Sequence, residues 1–325
     1  MDRKQKNVIC IISVVLPVIC VLIVAWILLI QKKDISFMQN EKRHVFGVTF
    51  MTMNNPYYEC LNTGMRAVIE ENGDLLLTRD AALSQERQNE EIRELIDDGA
   101  EVIFITCVDW ETAEEGIQIA VDAHVPVVVL DAPVKNDEKV TCTIVSDNYK
   151  AGVLCARNLL STKDSAKILL LKHSTTGSGT ERIQGFIDTI RGHENFEIVG
   201  SGETDGQIES SMPVMEKLLA ENPEADTVMA LNDPSALGAM AAIEGAGLSD
   251  RFLVYGVDGS PEAKALVKDE MMAATCAQFP YEIAKTAVLT GYEIINGIQV
   301  DRHIMIPVEL ITQSNINRFD LTGWQ

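Results

Sequence analysis

Apolar residues follow two different spacings along most of this chain. Short apolar runs such as 45–50, 102–106 and 127–130 are bounded by turn residues, a pattern typical of buried strands. Longer stretches between them, such as 84–98, repeat apolar residues every three or four positions, as amphipathic helices do. The regular alternation of the two patterns predicts βαβ units and mainly parallel sheets.

This alternation falls into two series of similar build. The first series runs from residue 45 to residue 145, and the second from residue 149 to residue 277. A last helix, predicted at 280–296, precedes a strand at about 304–308. We therefore predict an α/β fold with two doubly wound parallel-sheet lobes.

Polar residues directly follow several of the predicted strands. In parallel sheets the carboxyl ends of the strands lie at one edge, and ligands bind beyond that edge. Taken alone, each of these residues is better explained as a helix cap or an Asx-turn than as a ligand contact. Taken together, they predict a cleft. The strand-end residues are Asp131, Ser146, Asp147, Asn148, Asn232, Asp233, Asp258 and Gln278.

The segment 54–58, Asn-Asn-Pro-Tyr-Tyr, follows the first predicted strand. Its two carboxamides offer donors and acceptors, Pro56 stiffens the turn, and the tyrosines offer flat apolar faces with polar tips. These groups suit a sugar ring. An ordinary helix start is equally compatible with the pattern: Asn55 would be the N-cap, Pro56 the first helical residue, and the two tyrosines core residues.

An uncharged apolar run occupies residues 8–30, with basic residues on both sides. It is long enough to span a bilayer, and it lacks the short apolar region and small-residue cleavage site of a secretory signal. We predict an uncleaved signal-anchor transmembrane helix within residues 1–33, followed by a tether at 34–44. Lipidation of Cys20 is the minor alternative, because bulky Ile19 precedes it where a lipoprotein signal has a small residue. The basic residues on both sides leave the orientation open.

The chain is strongly acidic. Its net charge is −21, and residues 1–33 carry +4 of their own, which leaves −25 for the rest. Such a surface repels the phosphate backbone of nucleic acids, whose binding needs clustered cations. Solubility alone is a sufficient explanation of the charge, but its sign excludes nucleic acid as a partner.

No catalytic or metal-binding motif is visible in the sequence. The five histidines lack the HExxH spacing, and the seven cysteines lack CxxC or metal spacing. Most cysteines are expected to be buried small hydrophobic residues, and a disulfide such as Cys107 to Cys142 stays open. Asp131 and Asp258 could imitate the carboxylate pair of a glycosidase, but no other feature supports catalysis. We predict a protein that is not an enzyme and that uses no cofactor and no metal.

A glycine-rich segment at 174–179 precedes a predicted helix. It lacks the Lys-Ser/Thr ending of a P-loop, so a phosphate cradle is the weaker interpretation. A flexible loop is the stronger interpretation of the segment.

A set of short stretches shares one family pattern across residues 45–311. The stretches are 54–58 (Asn-Asn-Pro-Tyr-Tyr), 129–131 (Val-Leu-Asp), 146–148 (Ser-Asp-Asn), 182–186 (Arg-Ile-Gln-Gly-Phe), 231–233 (Leu-Asn-Asp), 236–238 (Ala-Leu-Gly), 256–259 (Gly-Val-Asp-Gly) and 277–278 (Ala-Gln). Their order and spacing are more specific than any one of them. On these stretches the chain resembles the ribose-binding-protein group of bacterial periplasmic sugar-binding proteins, which have the periplasmic binding protein type 1 fold.

The resemblance implies two α/β lobes joined by a hinge of three crossings, with a sugar bound between them. It places the first lobe at 45–147 plus 279–307 and the second at 148–278 plus 308–325. The implied binding positions carry hydrogen-bonding groups and stacking rings, which suit that role. These positions are Asn55, Tyr57, Tyr58, Asp131, Arg182, Asn232, Asp258 and Gln278. With Arg182 in the cleft, we expect the loop at 174–179 to deliver it there and Asp131 to be its ionised acceptor.

Two residues depart from the ribose binders of this group. An arginine that follows the first cleft aspartate there is Ala132 here, and an aromatic residue near a strand end there is Gly206 here. Both changes remove bulk, and Ala132 leaves Asp131 without one expected cationic partner. Together with tyrosines in place of phenylalanines at 57 and 58, they predict a ligand other than ribose, larger or with another substituent.

We therefore predict an extracytoplasmic sugar-binding protein, anchored in the cell membrane by its N-terminal helix, whose lobes close over a monosaccharide or similar polyol. It would present this ligand to the permease of an ABC transporter. The alternative is a receptor that signals through a partner membrane histidine kinase. Transcription regulators of the lactose-repressor type share the fold, but they carry a helix-turn-helix where this chain has an apolar run.

Overall fold

The computed structural model of the protein describes residues 43–325. The predicted membrane anchor and almost all of the tether lie outside this range. Within it, no helix is both long enough and apolar enough to cross a membrane.

All neighbouring strands in the first of two sheets are parallel. Helices form the crossover connections between its first four strands, as is usual for parallel pairs. Helices cover both of its faces, so strands such as Val102–Ile105 are buried along their whole length. Its strands are β1 (Val45–Phe50), β2 (Leu75–Asp80), β3 (Val102–Ile105), β4 (Val127–Leu130), β5 (Cys142–Ser146) and β11 (His303–Ile306). Their order in space is β11-β5-β4-β3-β1-β2.

Four helices pack on the first sheet. On one face, α1 (Pro56–Glu71) and α9 (Pro280–Ile295) contact each other and enclose a core that contains Phe46 and Met65. On the other face, α2 (Gln85–Asp97) and α3 (Glu114–Asp122) cover a second core. The helix that begins after β1 is thereby fixed to the sheet, which holds residues 54–58 at the sheet's carboxyl edge.

The second sheet repeats this design with one difference at its edge. Its strands are β6 (Ala166–Lys172), β7 (Phe196–Glu203), β8 (Thr227–Ala230), β9 (Leu253–Asp258), β10 (Ala274–Ala277) and β12 (Glu309–Thr312), in the order β12-β10-β9-β8-β6-β7. The pair β10 and β12 is antiparallel, and the other pairs are parallel. Its helices are α4 (Asn148–Thr162), α5 (Gly177–Ile190), α6 (Ile208–Glu221), α7 (Asp233–Gly245) and α8 (Pro261–Lys268).

The chain passes from one sheet to the other three times: after β5, after β10 and after β11. The predicted α/β architecture with two parallel-sheet lobes is confirmed. The exact lobe boundaries, at 147/148, 278/279 and 307/308, stay a proposal.

Some predicted details are wrong. The strand β12 was not predicted, because a four-residue run at 309–312 has too little pattern to be recognised without its partner strand. The possible disulfide between Cys107 and Cys142 is not formed: the five cysteines among the described residues are all buried and free. Burial raises the pKa of the Cys107 thiol to about 12, which makes it unreactive.

Candidate ligand-binding cleft

All eight residues predicted to bind a ligand line a single cavity between the carboxyl ends of the two sheets. The first sheet and its helices supply Asn55, Tyr57, Tyr58 and Asp131, and the second supplies Arg182, Asn232, Asp258 and Gln278. The structure therefore brings the predicted set together. That these side chains bind a ligand stays a prediction.

The start of α1 serves the fold and the cavity at once. Asn55 is the N-cap, with its Oδ1 accepting a hydrogen bond of 3.0 Å from the Tyr57 backbone N–H, and Pro56 is the first helical residue. Tyr57 and Tyr58 are buried in the core of the first lobe and also line the cavity. Residues 54–58 thus form an ordinary helix start with core tyrosines and also part of the cavity wall, so the two interpretations of this segment are compatible.

The two cleft aspartates lie at the ends of strands in unusual backbone conformations. Asp131, directly after β4, has φ 61°, and Asp258, the last residue of β9, has φ 142°. Residues other than glycine rarely adopt such conformations, and they persist where the surrounding structure imposes them. Burial raises the pKa of both carboxyl groups, and the nearby Arg182 opposes that rise.

Arg182 lies on α5 and is almost completely buried. Its Nε donates to Asn148 Oδ1 at 2.8 Å, and its Nη1 donates to the Leu231 carbonyl at 3.1 Å. Its ion-pair partner is Asp258, with 3.6 Å between Nη1 and Oδ1. The prediction that Asp131 is the acceptor of Arg182 is therefore wrong, since Asp131 Oδ2 accepts instead from the Tyr58 hydroxyl at 3.0 Å.

Two glycines allow the helices that hold Arg182 to pack closely. A Cβ at Gly152 of α4 would lie 1.8 Å from the Arg182 carbonyl oxygen, and a Cβ at Gly185 of α5 would lie 2.1 Å from the Tyr149 carbonyl oxygen. Arg182 is thus positioned by helix packing. The loop at 174–179 does not deliver it, because α5 already begins at Gly177 with Thr176 as its N-cap.

Asp258 and Asn232 are held by hydrogen bonds within the second lobe. Gln278 Nε2 donates to Asp258 Oδ1 at 2.8 Å. Asn232 caps α7 by accepting from the Ser235 N–H at 3.0 Å, and its Nδ2 donates to the Gly206 carbonyl at 2.9 Å. A ligand would use the hydrogen-bonding capacity that remains on these groups.

Three buried polar atoms in the cavity wall lack a well-formed hydrogen bond: Tyr57 Oη, Asp131 Oδ1 and Gln278 Oε1. A buried polar atom without a partner costs about 1 to 3 kcal/mol. Two of the three can only accept, because one belongs to a carboxylate and one is an amide oxygen. A ligand with several hydroxyl groups would satisfy them.

Opposite sides of the cleft already touch in this structure. The backbone N–H of Trp110, in the loop after β3, donates to the backbone carbonyl of Thr175 at 2.9 Å. Thr175 lies in the loop after β6. Asn54 Nδ2 donates to Gln207 Oε1 at 3.3 Å. The cavity between them has a volume of about 30 Å³. The arrangement is closed, so a ligand can enter the cavity only after the lobes part.

Sequence reasoning missed several cavity residues, of which His173 is the most informative. It directly follows β6, and thus occupies the same kind of strand-end position as the predicted residues. This strand-end position is a signal for His173 that the sequence contains, although the residue matches no metal or catalytic spacing. The other missed residues are Met51, Thr176, Ser178, Asp205, Gln207 and Leu231.

The two departures from the ribose binders lie at different places relative to the cavity. Ala132 is completely buried in the core of the first lobe and is not part of the cavity wall. Gly206 does line the cavity. That these two residues change the ligand stays a prediction.

Comparison with known proteins places most of the described fold in one family. Residues 46–299 match the family model described as a periplasmic binding protein domain. The chain belongs to this family of periplasmic binding proteins. Among curated periplasmic binding proteins, the ribose import binding protein of Bacillus subtilis (strain 168) is 31% identical over 276 residues, which cover 84% of this chain and 89% of that protein.

Solved structures of periplasmic binding proteins show the same arrangement. An ABC transporter solute binding protein from Mycobacterium smegmatis with bound glycerol is 27% identical, with a TM-score of 0.82, and the match covers 87% of this chain and 98% of that one. The binding component of the arabinose ABC transporter from Shewanella sp. ANA-3, bound to L-arabinofuranose, is 25% identical with a TM-score of 0.79, covering 84% and 93%.

Proposed function

We propose that the protein is the sugar- or polyol-binding component of an ABC importer, acting outside the cytoplasm. The observation that carries this proposal is the set of buried, unpartnered polar atoms in a cavity walled by both lobes. Three relatives support it through their names: one is a ribose import binding protein, and two belong to ABC transporters and hold glycerol or arabinofuranose. These relatives are named as binding proteins, which supports a role in binding and not in catalysis.

The ligand would act by shifting the equilibrium between open and closed forms. A ligand in this cavity touches groups of both lobes, so it binds the closed form more tightly than the open one. It can move the equilibrium only by that difference in affinity. The closed form, with its lobes joined at Trp110 and Asn54, is the form that we propose is presented to the permease.

Each group in the cavity has a distinct role in our proposal. Asp131 and Asp258 accept hydrogen bonds from ligand hydroxyl groups, and Arg182 donates from its remaining N–H groups. Tyr57 and Tyr58 stack against the C–H faces of the ring. With Gly206 in place of an aromatic residue, we propose a ligand other than ribose.

Anchoring by residues 8–30 stays a prediction from the sequence, because this segment lies outside the described residues. The alternative of signalling through a histidine kinase has no support in the relatives reported above, and we do not propose it. Isolation of the full chain from membranes tests the partner, since an importer component should enrich with a permease and support uptake of its ligand.

A thermal-shift screen of the full chain tests the ligand class. The panel contains pentoses, hexoses, furanoses, sugar alcohols and inositols. A cognate ligand at a hundred times its dissociation constant should stabilise the folded protein by about 2.7 kcal/mol. The proposal falls if no member of the panel stabilises the protein while a nucleoside or a peptide does.

A further inference from the structure

We propose that His173 is a ligand contact that determines specificity, with its neutral imidazole forming the cavity wall beside Gly206 and hydrogen bonding to a ligand hydroxyl group. This inference rests on the proposed function, because it assumes a ligand with hydroxyl groups. It adds a residue that neither the family resemblance nor the strand-end pattern had assigned.

The geometry around Gly206 shows why the wall cannot come from that position. Gly206 has φ 76°, so any side chain there would be strained. A Cβ at Gly206 would lie 3.2 Å from Asn232 Nδ2 and 3.5 Å from His173 Nδ1. The imidazole of His173 therefore lies beside the backbone of Gly206, and it supplies a ring to the side of the cavity where Gly206 has no side chain.

The main chain at His173 is fixed by the start of α5. The His173 carbonyl accepts from the Thr176 N–H at 3.2 Å and from Thr176 Oγ1 at 3.1 Å. Gly179 packs against the same carbonyl, which would lie 3.1 Å from a Cβ at that position. A fixed main chain limits where the imidazole can go, as a specificity contact requires.

The ring nitrogens of His173 form no hydrogen bond with the described residues, although the residue lines the cavity. Burial lowers the pKa of His173, and the carboxylates of Asp205, Glu203 and Asp109 oppose this effect. The imidazole is therefore neutral at pH 7, with one N–H donor and one acceptor nitrogen.

The neutral imidazole of His173 complements the charged groups that face the cavity. The carboxylates of Asp131 and Asp258 only accept when ionised, and Arg182 only donates. A hydroxyl group is both donor and acceptor, so His173 can bind it in either direction. Only a hydroxyl group at the right position of the ring can reach the imidazole. The contact therefore separates one sugar from its epimer.

The test uses the full chain and the sugars that stabilise it in the screen. Three variants separate the roles of the ring: His173→Ala removes ring and hydrogen bond, His173→Phe keeps the ring, and His173→Gln keeps a donor and an acceptor that do not titrate. His193→Ala is the matched control, because His193 is exposed and far from the cavity lining. Unfolding curves without ligand check that each variant folds.

We expect His173→Ala to weaken binding by about tenfold to a hundredfold and to change the ranking of the sugars. His173→Phe and His173→Gln should each recover part of the affinity. As the pH falls through the lowered pKa of His173, below the usual histidine range, the wild-type affinity should fall more steeply than that of His173→Gln, by up to about tenfold per pH unit. The reason is that protonation of His173 removes its acceptor. The control should match the wild type throughout.

Two outcomes overturn the inference in distinguishable ways. If sugars bind but all three His173 variants keep the affinity, ranking and pH profile of the wild type, the inference is wrong while the proposed function stands. If no sugar binds the wild type at all, both are wrong.

Discussion

The two walls of the cleft are built on different physical principles. In the first lobe, Tyr57 and Tyr58 are held by packing in an apolar core, and the Asp131 carboxylate accepts from the hydroxyl of Tyr58. In the second lobe, Arg182 and Asp258 belong to a buried network of hydrogen bonds and charges. Removing a contact from the first wall should therefore affect the ligand alone, whereas removing one from the second should affect ligand and fold together.

The hydrogen-bond network of the second wall continues into the interior of the second lobe. Asp258 Oδ2 accepts from the Asp233 N–H, and Asp233 accepts from the Ser260 N–H at 2.8 Å and the Thr275 hydroxyl at 2.7 Å. Behind it, Gln325 Nε2 donates to the backbone carbonyls of Asp258 and Gln278. Networks of this kind are stable only while every member keeps its partners.

The largest effect is expected from Arg182→Ala. Its loss leaves the buried Asp258 without a cation, which should lower the free energy of unfolding by about 3 kcal/mol and weaken ligand binding more than a hundredfold. Urea unfolding and calorimetric titration measure the two effects. Arg191→Ala is the control, because Arg191 lies exposed just after the same helix. Normal stability of Arg182→Ala would show that the second wall is not a network.

Asp131→Asn should separate binding from stability. We expect binding to weaken about a hundredfold, because hydroxyl groups lose an ionised acceptor. The ligand-free protein should be as stable as the wild type or slightly more stable at pH 7. The reason is that burial raises the pKa of Asp131, so its charged form disfavours folding at any pH above the folded-state pKa.

The same two measurements test Asp131→Asn against a surface control. Asp122→Asn changes an exposed carboxylate that accepts from Gln118 on the same helix, and it should leave both quantities unchanged. A clear loss of ligand-free stability in Asp131→Asn would mean that the first wall is as interlinked as the second.

The smallest effect is expected from Asn54→Ala, which removes the 3.3 Å hydrogen bond to Gln207 across the cleft. Because Asn54 is exposed, stability should not change. Affinity should fall about twofold to tenfold, the value of one ordinary hydrogen bond in the closed form. A double-mutant cycle with Gln207→Ala checks the pairing. Additive effects of the two substitutions would show that this bond does not contribute to closure.

The sequence predicted the features that depend on local pattern. Short apolar strands such as Val127–Leu130 are recognisable because both faces of a parallel sheet are buried. Residues after those strands, such as Asp131 and Asp258, could be grouped because parallel strands share one carboxyl edge. The resemblance added Arg182, which local pattern alone would not have selected.

The partnerships between these residues depend on packing between distant segments and could not be predicted. Arg182 pairs with Asp258 and not with Asp131, because the contact of α4 and α5 at Gly152 and Gly185 fixes where the guanidinium lies. Similarly, the position of His173 beside Gly206, 33 positions further along the chain, depends on packing that no local pattern shows.

The contact region between the two lobes contains tryptophans, whose fluorescence depends on their surroundings. Of the chain's three tryptophans, Trp110 and Trp324 lie among the described residues, and both are in this contact region. The indole of Trp110 lies next to Gly177 of the other lobe, where a Cβ would come within 3.1 Å of its Cε3. The ring of Trp324 packs edge-on against Tyr57 with 5.6 Å between centroids. When the lobes part, both indoles lose these neighbours and become more exposed to water. Intrinsic fluorescence should therefore follow opening and closing in real time, without any attached dye.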